Sequence, residues 1–306
     1  MIDPKATITY AQYNEDLILS ALLDGVEKGF YVDVGANYPT IDSVTKLFYD
    51  KGWTGINIEP IENLYKQLSQ ERPKDINLQC GAGEKPGKMA FREYKTAPGH
   101  STFDPEQKKQ HSESMKYTDY EVPIKTLKQI LQENSVEHIH FLKIDVEGFE
   151  YEVVAGNDWT KYRPEAVCVE ANHVTHDWRT ILGKNNYWFF IADGLNEYYI
   201  AKESWHRTEG FAERIVQIDY HALKQHQWQS WSKDSKDLVE LSRVATDEIK
   251  RAERLQKEIR EMEIQIETVG TLSLKNRTFP SRLKRSVYGL TIDWVRFKKA
   301  GPKQGR

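Results

Sequence analysis

Phe30-Tyr31-Val32-Asp33-Val34-Gly35-Ala36-Asn37-Tyr38-Pro39 is the stretch that decides the fold. Tyr31 to Val34 is a run of β-branched and aromatic residues, the composition of a buried strand. A polar turn with Gly35 and Asn37 follows, then an apolar-periodic stretch, Val44-Thr45-Lys46-Leu47-Phe48-Tyr49. A strand ending in an acid, then glycine, then a helix start, is how a parallel α/β sheet holds a nucleoside. The glycine lets a ligand approach the backbone where the crevice opens at the strand's carboxyl end. The three-glycine dinucleotide fingerprint is missing, and few backbone amides are on hand to cradle a pyrophosphate. The expected ligand is therefore a nucleoside without phosphates, such as S-adenosylmethionine.

Outward from this unit, strand and helix patterns alternate. A helix over Tyr10 to Gly25 precedes it, with Leu17, Ile18, Ala21 and Leu22 on one face. A second strand, Thr54 to Ile58, ends in Glu59-Pro60 and leads to a helix through Leu64 and Leu68. Ile76 to Cys80 is a third strand, followed by a strand-like piece from Lys88 to Arg92. After a polar stretch from Gly99 to Tyr120 come Val122-Pro123-Ile124 and a helix from Thr126 to Glu133. The fourth strand, His140 to Ile144, ends in Asp145-Val146-Glu147-Gly148, and its helix carries Tyr151, Val154 and Ala155. The fifth, Ala166 to Val169, ends in Glu170-Ala171-Asn172-His173. Tyr187 to Ala192 and Glu197 to Ala201 flank Asp193-Gly194-Leu195-Asn196, a hairpin signal. Five βα steps and a closing hairpin predict an α/β, Rossmann-like, doubly wound sheet with an antiparallel edge hairpin.

The bulk composition is consistent with this class. The 306 residues, 39% hydrophobic and 29% charged, suit a globular domain with a charged extra segment. Cys80 and Cys168 both lie in apolar, strand-like runs and read as buried free thiols. The first residues, Met1-Ile2-Asp3-Pro4-Lys5, lack a signal-peptide core, and there is no long apolar run of membrane-spanning length. The expected location is cytoplasmic, with an option of peripheral attachment at the inner face of the membrane. The net charge of −3 is unevenly distributed. Leu272 to Arg306 holds ten Lys or Arg and one acid, Asp293, a net of +9, which leaves −12 on the rest. A body of that sign repels nucleic-acid phosphates, so no nucleic-acid partner is expected.

Three regions follow: a catalytic domain over 1–230, a coiled coil over 231–271 and a basic amphipathic tail over 272–306. In the second, Leu238, Ala245, Ala252, Ile259 and Ile266 take one heptad position. Leu241, Leu255, Met262 and Val269 take the other, with Glu248 the exception. That pattern predicts a C-terminal α-helical coiled coil, self-associating or pairing with a partner helix. A long amphipathic helix packed on its own domain is the alternative. Beyond Pro280, Leu283, Val287, Leu290, Trp294 and Phe297 recur at helical spacing among Arg and Lys. A basic helix with Trp and Phe on its apolar face reads as a segment for an anionic membrane surface.

In a parallel sheet the strand ends share one crevice. Asp33, Gly35 and Asn37 are expected to border the ligand's amino-acid portion. Glu59 stands where a carboxylate accepts from ribose hydroxyls, and Gly81 and Ala82 leave room for a flat adenine. Asp145, Glu147, Glu170, Asn172 and His173 gather on the fourth and fifth strand ends. Asp145, Glu170 and Asn172 offer oxygen ligands suited to Mg2+, and His173 is fitted to act as a general base.

Three stretches together resemble the FkbM-type methyltransferases. They are Phe30 to Pro39, Gly52-Trp53-Thr54-Gly55-Ile56-Asn57-Ile58-Glu59-Pro60, and Phe141-Leu142-Lys143-Ile144-Asp145-Val146-Glu147-Gly148-Phe149-Glu150. Gln12 with Glu15-Asp16, Ser101-Thr102 and Arg163-Pro164 add to the resemblance, which covers roughly Tyr10 to Tyr220. It implies a Rossmann-like enzyme that uses S-adenosylmethionine to methylate hydroxyl oxygens. It also implies cofactor roles for Asp33, Gly35, Asn37, Glu59 and the adjoining Pro60. Asp145, Glu147 and Glu170 are placed near the reacting atoms, with Asp145 also at the cofactor. Gln12, Asp16, His100, Ser101 and Thr102 are the candidate acceptor contacts.

The expected activity is O-methylation of a sugar in a surface glycan or its lipid-linked precursor. A membrane-held enzyme would profit there from raised effective concentration. Two alternatives stand beside it: methylation of a polyketide or other small molecule, and a non-catalytic, membrane-recruited scaffold of a glycan assembly complex.

Overall fold

The computed structural model describes residues 8–111, 115–172, 176–216 and 224–225. The segments expected as a coiled coil and a basic amphipathic tail, 231–271 and 272–306, lie outside the described residues. In chain order the elements are β1 (Ile8–Thr9), α1 (Glu15–Leu22), β2 (Phe30–Val34), α2 (Lys46–Asp50), β3 (Thr54–Ile58), α3 (Glu62–Glu71) and β4 (Ile76–Leu78). There follow β5 (Gly81–Ala82), β6 (Gly87–Tyr94), α4 (Pro105–His111), β7 (Tyr117–Lys125), α5 (Leu127–Glu133), β8 (Phe141–Ile144), α6 (Glu150–Ala155) and β9 (Ala166–Glu170). The last are α7 (Arg179–Lys184), β10 (Tyr187–Ala192), β11 (Asn196–Ala201), α8 (Phe211–Val216) and β12 (Lys224–Gln225), which pairs in parallel with β1.

The main sheet has seven strands in the order β10-β11-β9-β8-β2-β3-β4. The pairs β2–β3, β2–β8, β3–β4 and β8–β9 are parallel. The hairpin lies at the sheet's edge, as expected. Its second strand, β11, inserts between β9 and β10 and is antiparallel to both. The antiparallel strand is therefore next to the edge, and β10 at the edge runs with the parallel set.

Both faces of the sheet are covered, which is why its strands read as near-continuous apolar runs. Val32, Val34, Ile56, Ile58, Leu142, Ile144, Val167 and Val169 point into one core with side chains of α5, α6 and α7. Tyr31, Phe141, Ala166 and Cys168 point into the other with α1, α2 and α8. Alternation along each strand assigns its residues to these two layers.

The structure adds a second sheet, order β5-β7-β6, where separate strand pieces and a polar loop were expected. β6 shows water most of its first half, and β7 contains Pro123, so neither carries the signature of a buried strand. The polar stretch between them holds α4. The Asp104 carboxylate accepts from the Glu106 and Gln107 amides at 2.8 and 2.9 Å, and Pro105 occupies the first turn. Both are helix-start devices. Thr126 and Gln129 form a reciprocal capping box at the start of α5.

A buried polar network runs through the α1/α2 face. Arg72, fully buried, donates to Asp75 at 2.9 Å, to the Tyr31 hydroxyl at 2.7 Å and to Thr45 Oγ1 at 2.8 Å. Asp75 also accepts from Asn57 Nδ2 at 2.9 Å and from the Gly55 amide at 3.0 Å. Satisfied in this way, a buried guanidinium is tolerable; unpaired it would be strongly destabilising.

Candidate active site

Strand order reverses between β2 and β8, so the chain leaves β2 toward β3 on one side and β8 toward β9 on the other. The loops after these strands part and open a crevice. A cavity of about 550 Å³ lies there. Its lining includes Gly35 and Asn37 after β2, Glu59 to Ile61 after β3, and Asp145 to Glu147 after β8. Glu170 ends β9, while Cys80 to Ala82 and Phe103 close one end. Tyr10, Gln12 and Tyr13 reach in from before α1, and Thr96 to Ser101 from after β6.

Gly35 has a left-handed φ of +78°, and a Cβ there would stand 1.9 Å from the Asp145 carbonyl oxygen. The loops after β2 and β8 pass too close for any side chain. This glycine is therefore required by its own neighbour as well as by a ligand's approach. Asn37, also left-handed at φ 55°, donates its backbone N–H to Glu59 Oε2 at 2.9 Å. The other oxygen, Oε1, accepts from the Ile61 amide at 2.8 Å. Burial raises the pKa of Glu59 to about 7, against the pull of those two amides and of Lys143. Each oxygen keeps a lone pair for a ligand hydroxyl.

Across the cavity Asp145, Glu147 and Glu170 bring carboxylate oxygens within 4.8 Å of one another. Burial, then crowding by Asp145, pushes the pKa of both Glu147 and Glu170 well above the carboxylate range. Glu147 sits at φ 54° and Gly148 at φ 95°. A left-handed non-glycine residue costs roughly 1–2 kcal/mol and needs support. Glu150 supplies it: its Oε1 accepts from the Val146 and Gly148 amides at 3.1 Å each. Thr102 Oγ1 adds a 2.7 Å bond to the Glu147 carbonyl. His100 Nδ1 lies 3.8 Å from Glu147 Oε1.

Lys143 is the only Lys or Arg among the described residues that line the cavity. Its ammonium donates to the Gly35 carbonyl at 2.8 Å and stands 3.4 Å from Asp33 and from Asp145. Burial opposes its charge, but Asp145 and Asp33 outweigh burial and keep its pKa raised.

Gly35, Asn37, Glu59, Pro60, Gly81, Ala82, Asp145, Glu147 and Glu170 line the one cavity together with Gln12, His100, Ser101 and Asn172. Three residues expected at the ligand stand behind the wall instead. Asp33 is buried on the face it shares with Tyr31, where its Oδ2 accepts from Thr45 Oγ1 at 2.9 Å. The period-two alternation that sends Val34 toward the cavity side turns Asp33 away from it. Asp16 is fully buried, its oxygens accepting from Thr9 Oγ1 at 2.7 Å and the Tyr10 amide at 2.8 Å. It secures the segment that carries Gln12. Thr102 is fully buried under Glu147 and Asp104, so it positions the acidic loop. For the cation set, the oxygens that converge belong to Asp145, Glu147 and Glu170; Asn172 turns its Nδ2 toward Glu170 Oε1 at 3.3 Å. His173 lies outside the described residues.

Sequence reasoning did not assign Lys143, Tyr13 or Glu15. Lys143 was visible as a lone cation inside an apolar strand, a placement that calls for a buried partner. Glu15 accepts from the Tyr13 amide at 2.7 Å and from Asn196 Nδ2 at 3.1 Å, joining the segment before α1 to the start of β11. No local pattern announces that contact.

A family model described as the methyltransferase FkbM domain matches residues 33–189. A curated relative, methyltransferase sdnD of Sordaria araneosa, is 29% identical over 157 residues, which take in 42% of this chain and 60% of the relative. The chain thus spans about 60% of the length of that relative. No solved structure matches.

Proposed function

This chain belongs to the FkbM methyltransferase family, and on that premise we propose that it is an O-methyltransferase that takes its methyl group from S-adenosylmethionine, the donor such enzymes generally use. The acceptor in this reading is a hydroxyl of a sugar in a surface glycan or its lipid-linked precursor. The observation that carries the reading is the juxtaposition, in one cavity, of the Glu59 carboxyl with the Asp145–Glu147–Glu170 cluster. Glu59 stands at the end of β3, the position from which a carboxylate accepts from both ribose hydroxyls. Gly81 and Ala82, with Phe103 beside them, offer a thin apolar place for the adenine. The sulfonium and its methyl then fall toward the acidic cluster.

Methyl transfer needs donor, methyl and acceptor oxygen in line, and a group to take the hydroxyl proton. Once the cationic donor restores its ionised form, Glu147 or Glu170 has the character of that group, since burial makes its carboxylate a stronger base than a free one.

In this reading the segment 231–271, expected as a coiled coil, serves self-association or partner binding, and the basic segment 272–306 serves attachment to an anionic membrane. Among the described residues no helix is long and apolar enough to cross a membrane. Methylation of a small molecule other than a sugar remains the competing acceptor class.

Two measurements test the reading. Calorimetry with S-adenosylmethionine should give saturable one-site binding; absence of binding would defeat the enzyme reading. Transfer of labelled methyl from the donor should then mark a glycan or lipid-linked fraction of a cell extract. Label confined to small molecules would replace the acceptor class.

A further inference from the structure

Asp145, Glu147 and Glu170 form an acidic cluster on the wall of this cavity. Three carboxylates converge within 4.8 Å. Glu170 is 6% exposed, and its Oε2, beside the cavity, finds no hydrogen-bond donor. The one lining lysine is already engaged by the Gly35 carbonyl, Asp33 and Asp145. Lys143 meets the Asp145 member and His100 stands 3.8 Å from Glu147, but three carboxylates outnumber them, so a cation entering the cavity supplies the further counter-charge that the cluster calls for. Resting on the assignment of S-adenosylmethionine as donor, we propose that this cluster receives the cofactor's sulfonium and makes the protein bind S-adenosylmethionine more tightly than its neutral product, S-adenosylhomocysteine.

The two ligands differ at one centre. The donor carries a three-substituted, positively charged sulfur; after transfer the sulfur keeps its lone pair and is an uncharged thioether. Apart from the methyl itself, which sinefungin also lacks, the other contacts are shared. A difference in affinity therefore isolates the electrostatic contribution of the cluster, which is large where water is excluded. The raised pKa values of Glu147 and Glu170 agree with a cluster short of positive charge. The functional consequence is product release: once the methyl has left, the charge that held the cofactor is gone.

The test is calorimetry on the full chain with three probes: S-adenosylmethionine, S-adenosylhomocysteine and sinefungin. Sinefungin replaces the sulfonium by a carbon bearing an ammonium. The expected result is that both cationic probes bind ~10-fold or more tightly than the thioether. In Glu147→Gln and Glu170→Gln the gap should shrink, with affinity for the thioether retained. That retained affinity also certifies that the variants fold. Equal affinities of the wild-type chain for all three probes would overturn the inference and leave the proposed donor intact. Binding of none of them would remove the donor reading itself. A chelator arm separates the remaining source of charge: a preference that is absent with Mg2+ and present only with EDTA would assign the cluster to a metal and overturn the proposal. Should the Gln variants bind no probe, the wild-type ratio decides alone.

Discussion

Lys143 Nζ donates a 2.8 Å hydrogen bond to the carbonyl oxygen of Gly35, tying the end of β8 to the turn after β2 at the point where strand order reverses. The same ammonium stands 3.4 Å from Asp33, whose other oxygen receives Thr45, which in turn receives Arg72. The cavity floor and the buried polar network are thus one continuous structure.

Replacing Lys143 with Met should destabilise the chain by about 3–5 kcal/mol, the cost of leaving a buried carboxylate without its partner. Urea unfolding measures it. A loss under about 1 kcal/mol would show that water reaches Asp33 and that the lysine is not structural.

Gly35→Ala meets two obstacles at once: a φ of +78° and the Asp145 carbonyl 1.9 Å from the new Cβ. The first alone costs roughly 1–2 kcal/mol; the second forces the two loops apart. The expected outcome is a thermal midpoint lowered by several degrees or more, together with loss of donor binding. A variant with wild-type midpoint and donor affinity would mean that the two loops separate freely.

Glu59→Ala should weaken S-adenosylmethionine binding by roughly ten- to a hundredfold, the range for hydrogen bonds to a charged group. It also frees the Asn37 and Ile61 amides. Titration calorimetry decides; unchanged affinity removes Glu59 from the ribose position.

Stability of the ligand-free chain should fall as pH rises. Burial raises the folded pKa of Asp16 to about 6 and of Glu59 and Glu150 to about 7, from ordinary carboxylate values near 4. Between those limits the native state holds protons that the unfolded chain has released. The stabilisation is therefore complete below about pH 4 and lost as pH climbs through 6 to 7, by up to ~1.4 kcal/mol per pH unit for each proton. Urea midpoints measured from pH 5 to pH 8 should decline. A rise over that range would show that these acids are ionised when buried.

Truncation after Val269 removes the basic tail. It should release the protein from vesicles containing anionic lipid and leave donor affinity unchanged, because the tail lies outside the matched family region. Sedimentation with the vesicles measures the first effect, and persistent binding would refute a membrane role for the tail.

Much of this site was legible because a parallel sheet brings its strand ends to one edge. An acid that closes an apolar run, such as Glu59, Asp145 or Glu170, can be placed there from sequence. Legibility stopped where one residue's shift changes the face. Asp33 looked equivalent to these acids, yet it precedes Val34 and Gly35 and faces the helix layer. Asp16 and Thr102 carry the residue types of ligand contacts but spend their oxygens on neighbouring backbone. The second sheet was hidden because β6 exposes its side chains and β7 contains a proline. A strand half in water leaves no apolar run to read.

By itself the sequence determined the class of fold and the edge at which the site lies, because strand periodicity and chain order are local properties. Only the tertiary structure decided the lateral register. It sets Asn77 beside Asn57, Asn57 beside Asp33, Asp33 beside Lys143 and Lys143 beside Cys168 in one file across the sheet. These residues come from strands far apart in the chain, and what aligns them is the packing of two cores against the two faces. A slip of one residue would turn every side chain to the opposite layer, so packing fixes the register. With the register fixed, Lys143 meets Asp33 and Gly35, and the cavity acquires its floor.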